Sequence, residues 1–123
     1  MIENPLISVI IPTFNREQIL LRTIKNVLQQ TWKKIEIIIV NDGLAMDLKN
    51  EFFSLSNNKI IYIKTKRNLG CANSRSLGVG IAKGDFIAFL DDDDEWESNY
   101  LKNQLDIFKI DNSIDFVISN YKI

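Results

Sequence analysis

The sequence predicts an α/β fold: a doubly wound, mainly parallel sheet with helices on both faces. Short β-branched runs alternate with stretches of helical periodicity, as βαβ units do. The runs are apolar on both faces, which suits strands covered from two sides. The chain has 123 residues, the size of one domain. We therefore expect residues 1–123 to form a single domain, the N-terminal part of a longer one.

The elements follow in order. Residues 6–11 are almost continuously apolar and read as the first strand. Leu20, Ile24, Val27 and Leu28 then recur at helical spacing. Residues 35–40 form a second strand, interrupted only by Glu36, and a short helix is expected over residues 46–55, closed by a turn at Asn57 and Asn58. Residues 60–63 are the weakest run, with Lys64 and Lys66 close behind, and read as an edge strand. Residues 71–82 form a helix whose Cys71, Ser74, Gly78 and Ala82 are all small and share a face, allowing close approach to a sheet. Residues 85–90 give a fourth strand. Leu101, Leu105 and Phe108 mark a last helix, and residues 114–118 a fifth strand.

Composition narrows the function. Lys and Arg number 15 against 16 Asp and Glu, without the basic excess of a nucleic-acid binder. Histidine is absent, which excludes a Ser/His/Asp triad, a Cys/His dyad and a histidine-ligated zinc. The one cysteine cannot form an internal disulfide. No apolar run approaches the roughly 20 residues of a membrane helix. The N-terminus lacks a basic signal-peptide region. These features point to a soluble, cytoplasmic protein.

Ligands of an open parallel sheet collect at the carboxyl ends of its strands. There the chain places Pro12, Thr13, Phe14, Asn15 and Arg16, then Asn41, Asp42 and Gly43, then residues 91–95, all acidic. Neighbouring carboxylates at about 4 Å repel by roughly 4 kcal/mol at an effective dielectric near 20, and a divalent cation relieves that. In an extended segment Asp91 and Asp93 face one side while Asp92 and Asp94 point away. All-oxygen ligation suits Mg²⁺ or Mn²⁺. The alternative is a solvated loop whose acids favour the next helix N-terminus. An EF-hand does not fit, with Trp96 and Lys102 at loop positions that need Gly and Glu. Phe14 could stack on a nucleobase or cap the core. Asp42 could accept hydrogen bonds from a base or shape a turn, and Arg75 could meet a phosphate or a surface acid. Gly78, Gly80 and Gly84 precede a strand instead of following one, so they form no dinucleotide fingerprint.

Residues 7–16, 28–32, 35–43, 68–70 and 82–96 together resemble the N-terminal part of the family-2 glycosyltransferases with the GT-A, Rossmann-like fold. The resemblance spans about residues 6–101 with its motifs in order. It implies an inverting transfer of sugar from a nucleotide-diphosphate donor to an acceptor hydroxyl. It implies nucleotide binding by Pro12, Phe14, Asp42, Arg75, Asp91 and Asp92, and a Mn²⁺ or Mg²⁺ ion on Asp93 and Asp91 of the DxD signature. The general base falls outside the matched residues, and the acceptor (saccharide, lipid-linked or protein) is open. Peripheral membrane association, at the inner face of a membrane, and a homodimer are compatible with the sequence. Asn41, Leu44 and Ser76 depart from the family pattern and bear on base choice, leaving the metal residues intact. Two other readings are a non-catalytic nucleotide-sugar binding module and a receiver-like signalling domain. The second needs an acidic pair after the first strand, where Pro12, Thr13, Phe14 and Asn15 stand.

Overall fold

The computed structural model describes residues 2–43, 54–55 and 59–119. Their elements, in chain order, are β1 (Ile7–Thr13), α1 (Glu17–Leu28), β2 (Ile35–Asn41), β3 (Ile60–Lys64), α2 (Cys71–Ile81), β4 (Phe86–Phe89) and α3 (Tyr100–Ile110). The four strands form one sheet in the order β3-β2-β1-β4, with every pairing parallel. β1 lies between β2 and β4 and all seven of its residues are buried, as its almost continuously apolar run requires. β3 lies at the edge, where its trailing lysines reach solvent.

The pleat sends alternate residues to opposite layers. Ile7, Val9 and Ile11 of β1 join Ile35, Ile37 and Ile39 of β2 beneath Leu20, Ile24 and Val27 of α1 and Leu101 and Leu105 of α3. Each such side chain, fully buried, contributes roughly 1.5–3 kcal/mol. Ile10, Ile38 and Val40 form a smaller cluster on the other face, which α2 covers. Glu36, the one charge in the second run, points to this face, where its carboxylate accepts hydrogen bonds from Ser8 Oγ (2.5 Å) and the Lys83 N–H (2.7 Å).

The small-residue stripe has a steric cause at one position. A Cβ on Gly78 would lie 2.6 Å from Ile10 Cγ2, so only glycine lets α2 seat this close to β1. Ser74 and Gly78 are buried along that line, whereas Cys71 is exposed.

Residues 114–118 do not form a fifth strand. Their β-branched composition finds no ladder, because the chain turns at Asp111 and Ser113 and Gln104 Nε2 of α3 donates to Ser119 Oγ (2.6 Å). Phe116 and Ile118 are left largely exposed. The helix expected over residues 46–55 lies outside the described residues except for Ser54 and Leu55, which are helical.

Candidate nucleotide-sugar site

A cavity of about 430 Å³ opens where β1, β2 and β4 end. Its walls include Pro12, Phe14, Asp42, Arg75, Asp91, Asp92 and Asp93, the residues singled out in the sequence. Phe14 is 48% exposed there, so it does not cap the core.

Asp42, buried just past β2, shapes the far wall. Its Oδ1 accepts from Thr65 Oγ1 (2.8 Å) and the Leu69 N–H (2.7 Å), and its Oδ2 from the Gly70 N–H (2.8 Å). Burial works against ionisation, but these donors outweigh it and hold the carboxyl below the ordinary aspartate range. Gly70, at φ 83°, occupies a left-handed conformation that turns the chain into α2. Asn41 also binds locally: its Nδ2 donates to Tyr62 Oη (2.7 Å) and its Oδ1 accepts from the Gly43 N–H (2.9 Å).

The depressed value of Asp42 carries a sign. A carboxyl that ionises more readily folded than unfolded contributes stability above the unfolded value, about pH 4, and loses it as pH falls through the folded one. The Leu69 and Gly70 amide resonances, which report the carboxylate directly, are expected to titrate with a midpoint below the ordinary aspartate value. A midpoint at or above that value contradicts the assignment.

The acidic run is a turn and not an extended segment. The Asp94 N–H donates to Asp91 O (3.1 Å), which swings Asp94 back beside Asp91. The expectation that Asp94 points away is therefore corrected. Carboxylate oxygens of Asp91, Asp93 and Asp94, all exposed, lie within 4.8 Å of one another. Partial burial raises the Asp94 carboxyl above the usual range, and repulsion from Asp93, Asp91 and Asp92 adds to it. Asp92 does turn away and is buried: its Oδ2 accepts from Thr13 Oγ1 (2.8 Å) and its Oδ1 from Arg16 Nη1 (3.3 Å).

Arginines partly balance the acids. Arg75 Nη2 lies 2.8 Å from Asp91 Oδ1, and Arg16 Nη1 lies 3.1 Å from Asp93 Oδ2. All four side chains are more than a third exposed, and such pairs are worth about 0–1 kcal/mol. They can yield to a cation. Three clustered carboxylates make a hard, all-oxygen donor set that fits Mg²⁺ or Mn²⁺.

α1 fixes the loop that follows. Asn26 Nδ2 donates to Trp96 O (3.0 Å) while its Oδ1 accepts from the Trp96 N–H (2.9 Å). Gln30, 1% exposed, donates to Glu97 O (2.7 Å) and accepts from the Leu101 N–H (3.1 Å). Asn26, a polar residue on α1, carries no periodic signal in the sequence, and Gln30, just past the end of α1, is legible there only as part of the family motif at residues 28–32. Thr13, Arg16, Asn68, Cys71 and Ser74 also line the cavity without having been chosen as ligand residues.

Residues 8–123 match the family described as Glycosyl transferase family 2. The chain belongs to that family. Relatives within it include two Escherichia coli proteins, each named UDP-Glc:alpha-D-GlcNAc-diphosphoundecaprenol beta-1,3-glucosyltransferase. WfaP is 36% identical over 96% of this chain and 47% of its own length; WfgD is 32% identical over 96% and 46%. The chain thus spans about half the length of these curated relatives. Among solved structures, the mannosyltransferase PcManGT from Pyrobaculum calidifontis, in complex with GDP-Man and Mn²⁺, superposes with a TM-score of 0.76 at 19% identity. That match covers 85% of this chain and 32% of PcManGT. S. aureus TarS 1–349 in complex with UDP-GlcNAc gives 0.73 at 24% identity, covering 85% and 31%. These likenesses establish the GT-A fold. No described helix is long and apolar enough to cross a membrane.

Proposed function

We propose that the protein containing residues 1–123 is an inverting glycosyltransferase and that this chain supplies its donor-binding part. The observation that carries the reading is the cavity itself: in a family-2 chain, three strand ends bring an aromatic ring, a hydrogen-bonding carboxylate and a carboxylate cluster to one opening. Phe14 and the backbone at Pro12 flank the base, and Asp42 accepts a hydrogen bond from it. Asp91 would contact the ribose or share the ion, Arg75, paired with Asp91, would stand beside the nucleotide, and Asp93, with Asp91 and Asp94 in reach, would hold the ion. Asp92 acts by fixing Thr13 and Arg16 at the rim.

A bound Mn²⁺ or Mg²⁺ supplies positive charge against the diphosphate as it leaves. The acceptor hydroxyl forms the new bond to the anomeric carbon while the bond to the diphosphate breaks. Its proton passes to a general base that we place outside residues 1–123. The named donors of the relatives, UDP-Glc, and of the structural neighbours, UDP-GlcNAc and GDP-Man, support a nucleotide sugar as donor. The acceptors named for WfaP and WfgD are lipid-linked, and a lipid-linked acceptor taken at the inner face of the membrane is the corresponding proposal here.

Calorimetric titration with nucleoside diphosphates, with and without Mn²⁺, tests the donor site. Binding that strengthens with Mn²⁺ is expected. Absence of binding by every diphosphate in both conditions overturns the reading.

A further inference from the structure

Residues 91–99 belong to no helix or strand, although they carry the carboxylate cluster. Three like charges within 4.8 Å of one another repel, and a turn left to itself would relieve that by opening. A hold on the turn that spares the three carboxylates has to come through the main chain. α1 provides one. Thr23 and Asn26 of this helix, and Gln30 just past its end, all bond main-chain atoms of residues 92–101.

Asp92 is the pivot of the turn. Its carbonyl oxygen accepts from Thr23 Oγ1 (2.5 Å), and its carboxylate accepts from Thr13 Oγ1 and Arg16 Nη1. That carbonyl belongs to the planar peptide unit joining Asp92 to Asp93, so its direction sets where Asp93 leaves the main chain. A threonine inside a helix can turn its hydroxyl to the carbonyl four residues back. Thr23 has that acceptor in Ile19 O (3.1 Å), but it carries one proton and Asp92 O is nearer. Thr23 is 2% exposed, so water cannot take over the bond. Neither Thr23 nor Asn26 lines the cavity, and any influence they have on a ligand passes through the turn.

We propose that Thr23 is a positioning residue for the cation site, with Asn26 holding the far end of the same segment. The proposal rests on the reading of the 91–94 cluster as that site. With Asp92 pinned inward at three points, Asp91 and Asp93 stay outward and close, already arranged for an ion before it arrives. Without the hydroxyl the turn would have to be gathered against its own repulsion each time an ion binds.

The test compares wild type with Thr23→Val, which keeps the shape and loses the hydroxyl, and Thr23→Ser, which keeps the hydroxyl. Calorimetry with UDP and GDP, with and without Mn²⁺, reads the affinity gained from the ion. Thr23→Val should lose about tenfold of that gain and bind the nucleotide alone as wild type does, and Thr23→Ser should restore the gain. Amide hydrogen exchange without metal should quicken in Thr23→Val over residues 92–97 and stay unchanged in β1 and β2. Should Thr23→Val fail to fold, Asn26→Ala, at a half-buried position, is expected to show the same two changes. An undiminished Mn²⁺ gain in the folded variant, or unchanged exchange over residues 92–97, overturns the proposal while the cation site stands. So does a Thr23→Ser protein that behaves as Thr23→Val. No Mn²⁺ gain in wild type overturns the cation site and the proposal together.

Discussion

Asp93→Asn is expected to fold as the wild type does and to lose the gain in nucleotide affinity that Mn²⁺ confers, by about a hundredfold. The side chain is half exposed, and its one ion pair, with Arg16 at 3.1 Å, is worth about 0–1 kcal/mol. Removing the charge therefore costs the fold little. The cost to the cluster is larger. Asparagine keeps the shape but leaves two carboxylates, Asp91 and Asp94, to hold a dication against a diphosphate. Paired thermal melts and calorimetry with and without Mn²⁺ check both halves. Retained Mn²⁺ dependence would mean that Asp93 is no ligand.

Its neighbour should behave in the opposite way. Asp92→Ala is expected to destabilise the protein by about 2–3 kcal/mol. The Asp92 carboxylate is buried, and its loss strands the Thr13 hydroxyl inside the rim and frees Arg16. Thr23 Oγ1 of α1 still donates to the Asp92 carbonyl (2.5 Å), so the turn keeps its backbone anchor. Asp92→Asn, which still offers Thr13 an acceptor, should lose less. Urea unfolding measures the difference. Full stability in Asp92→Ala, with nucleotide binding lost, would move Asp92 from support to direct contact.

Two adjacent aspartates thus divide between binding and folding, and the sequence shows only part of why. The strands were legible because β1 and β2 are buried on both faces, so apolar residues fill nearly every position. The edge position of β3 was legible from its lysines. The convergence of Phe14, Asp42 and the acidic run followed from sheet topology alone. Alternation along the run placed Asp92 away from Asp91 and Asp93 correctly. It failed at Asp94 because a hydrogen bond between the Asp94 N–H and Asp91 O closes a turn there, which no side-chain pattern announces. Residues 114–118 failed for a related reason: strand propensity is realised only where a neighbouring strand supplies the ladder. Ser74 is legible in the sequence only as one of the small residues on α2; its complete burial, and a hydroxyl without a partner among the described residues, depend on how closely α2 seats against the sheet.

The most direct measurement is the manganese anomalous signal in crystals of the protein grown with Mn²⁺ and UDP. The expected result is a peak about 2.0–2.6 Å from an Asp93 carboxylate oxygen, the range of hard cations on oxygen ligands, with the diphosphate beside it and the base near Phe14. Manganese absent from the 91–94 turn, with the nucleotide bound elsewhere on the molecule, would contradict the account.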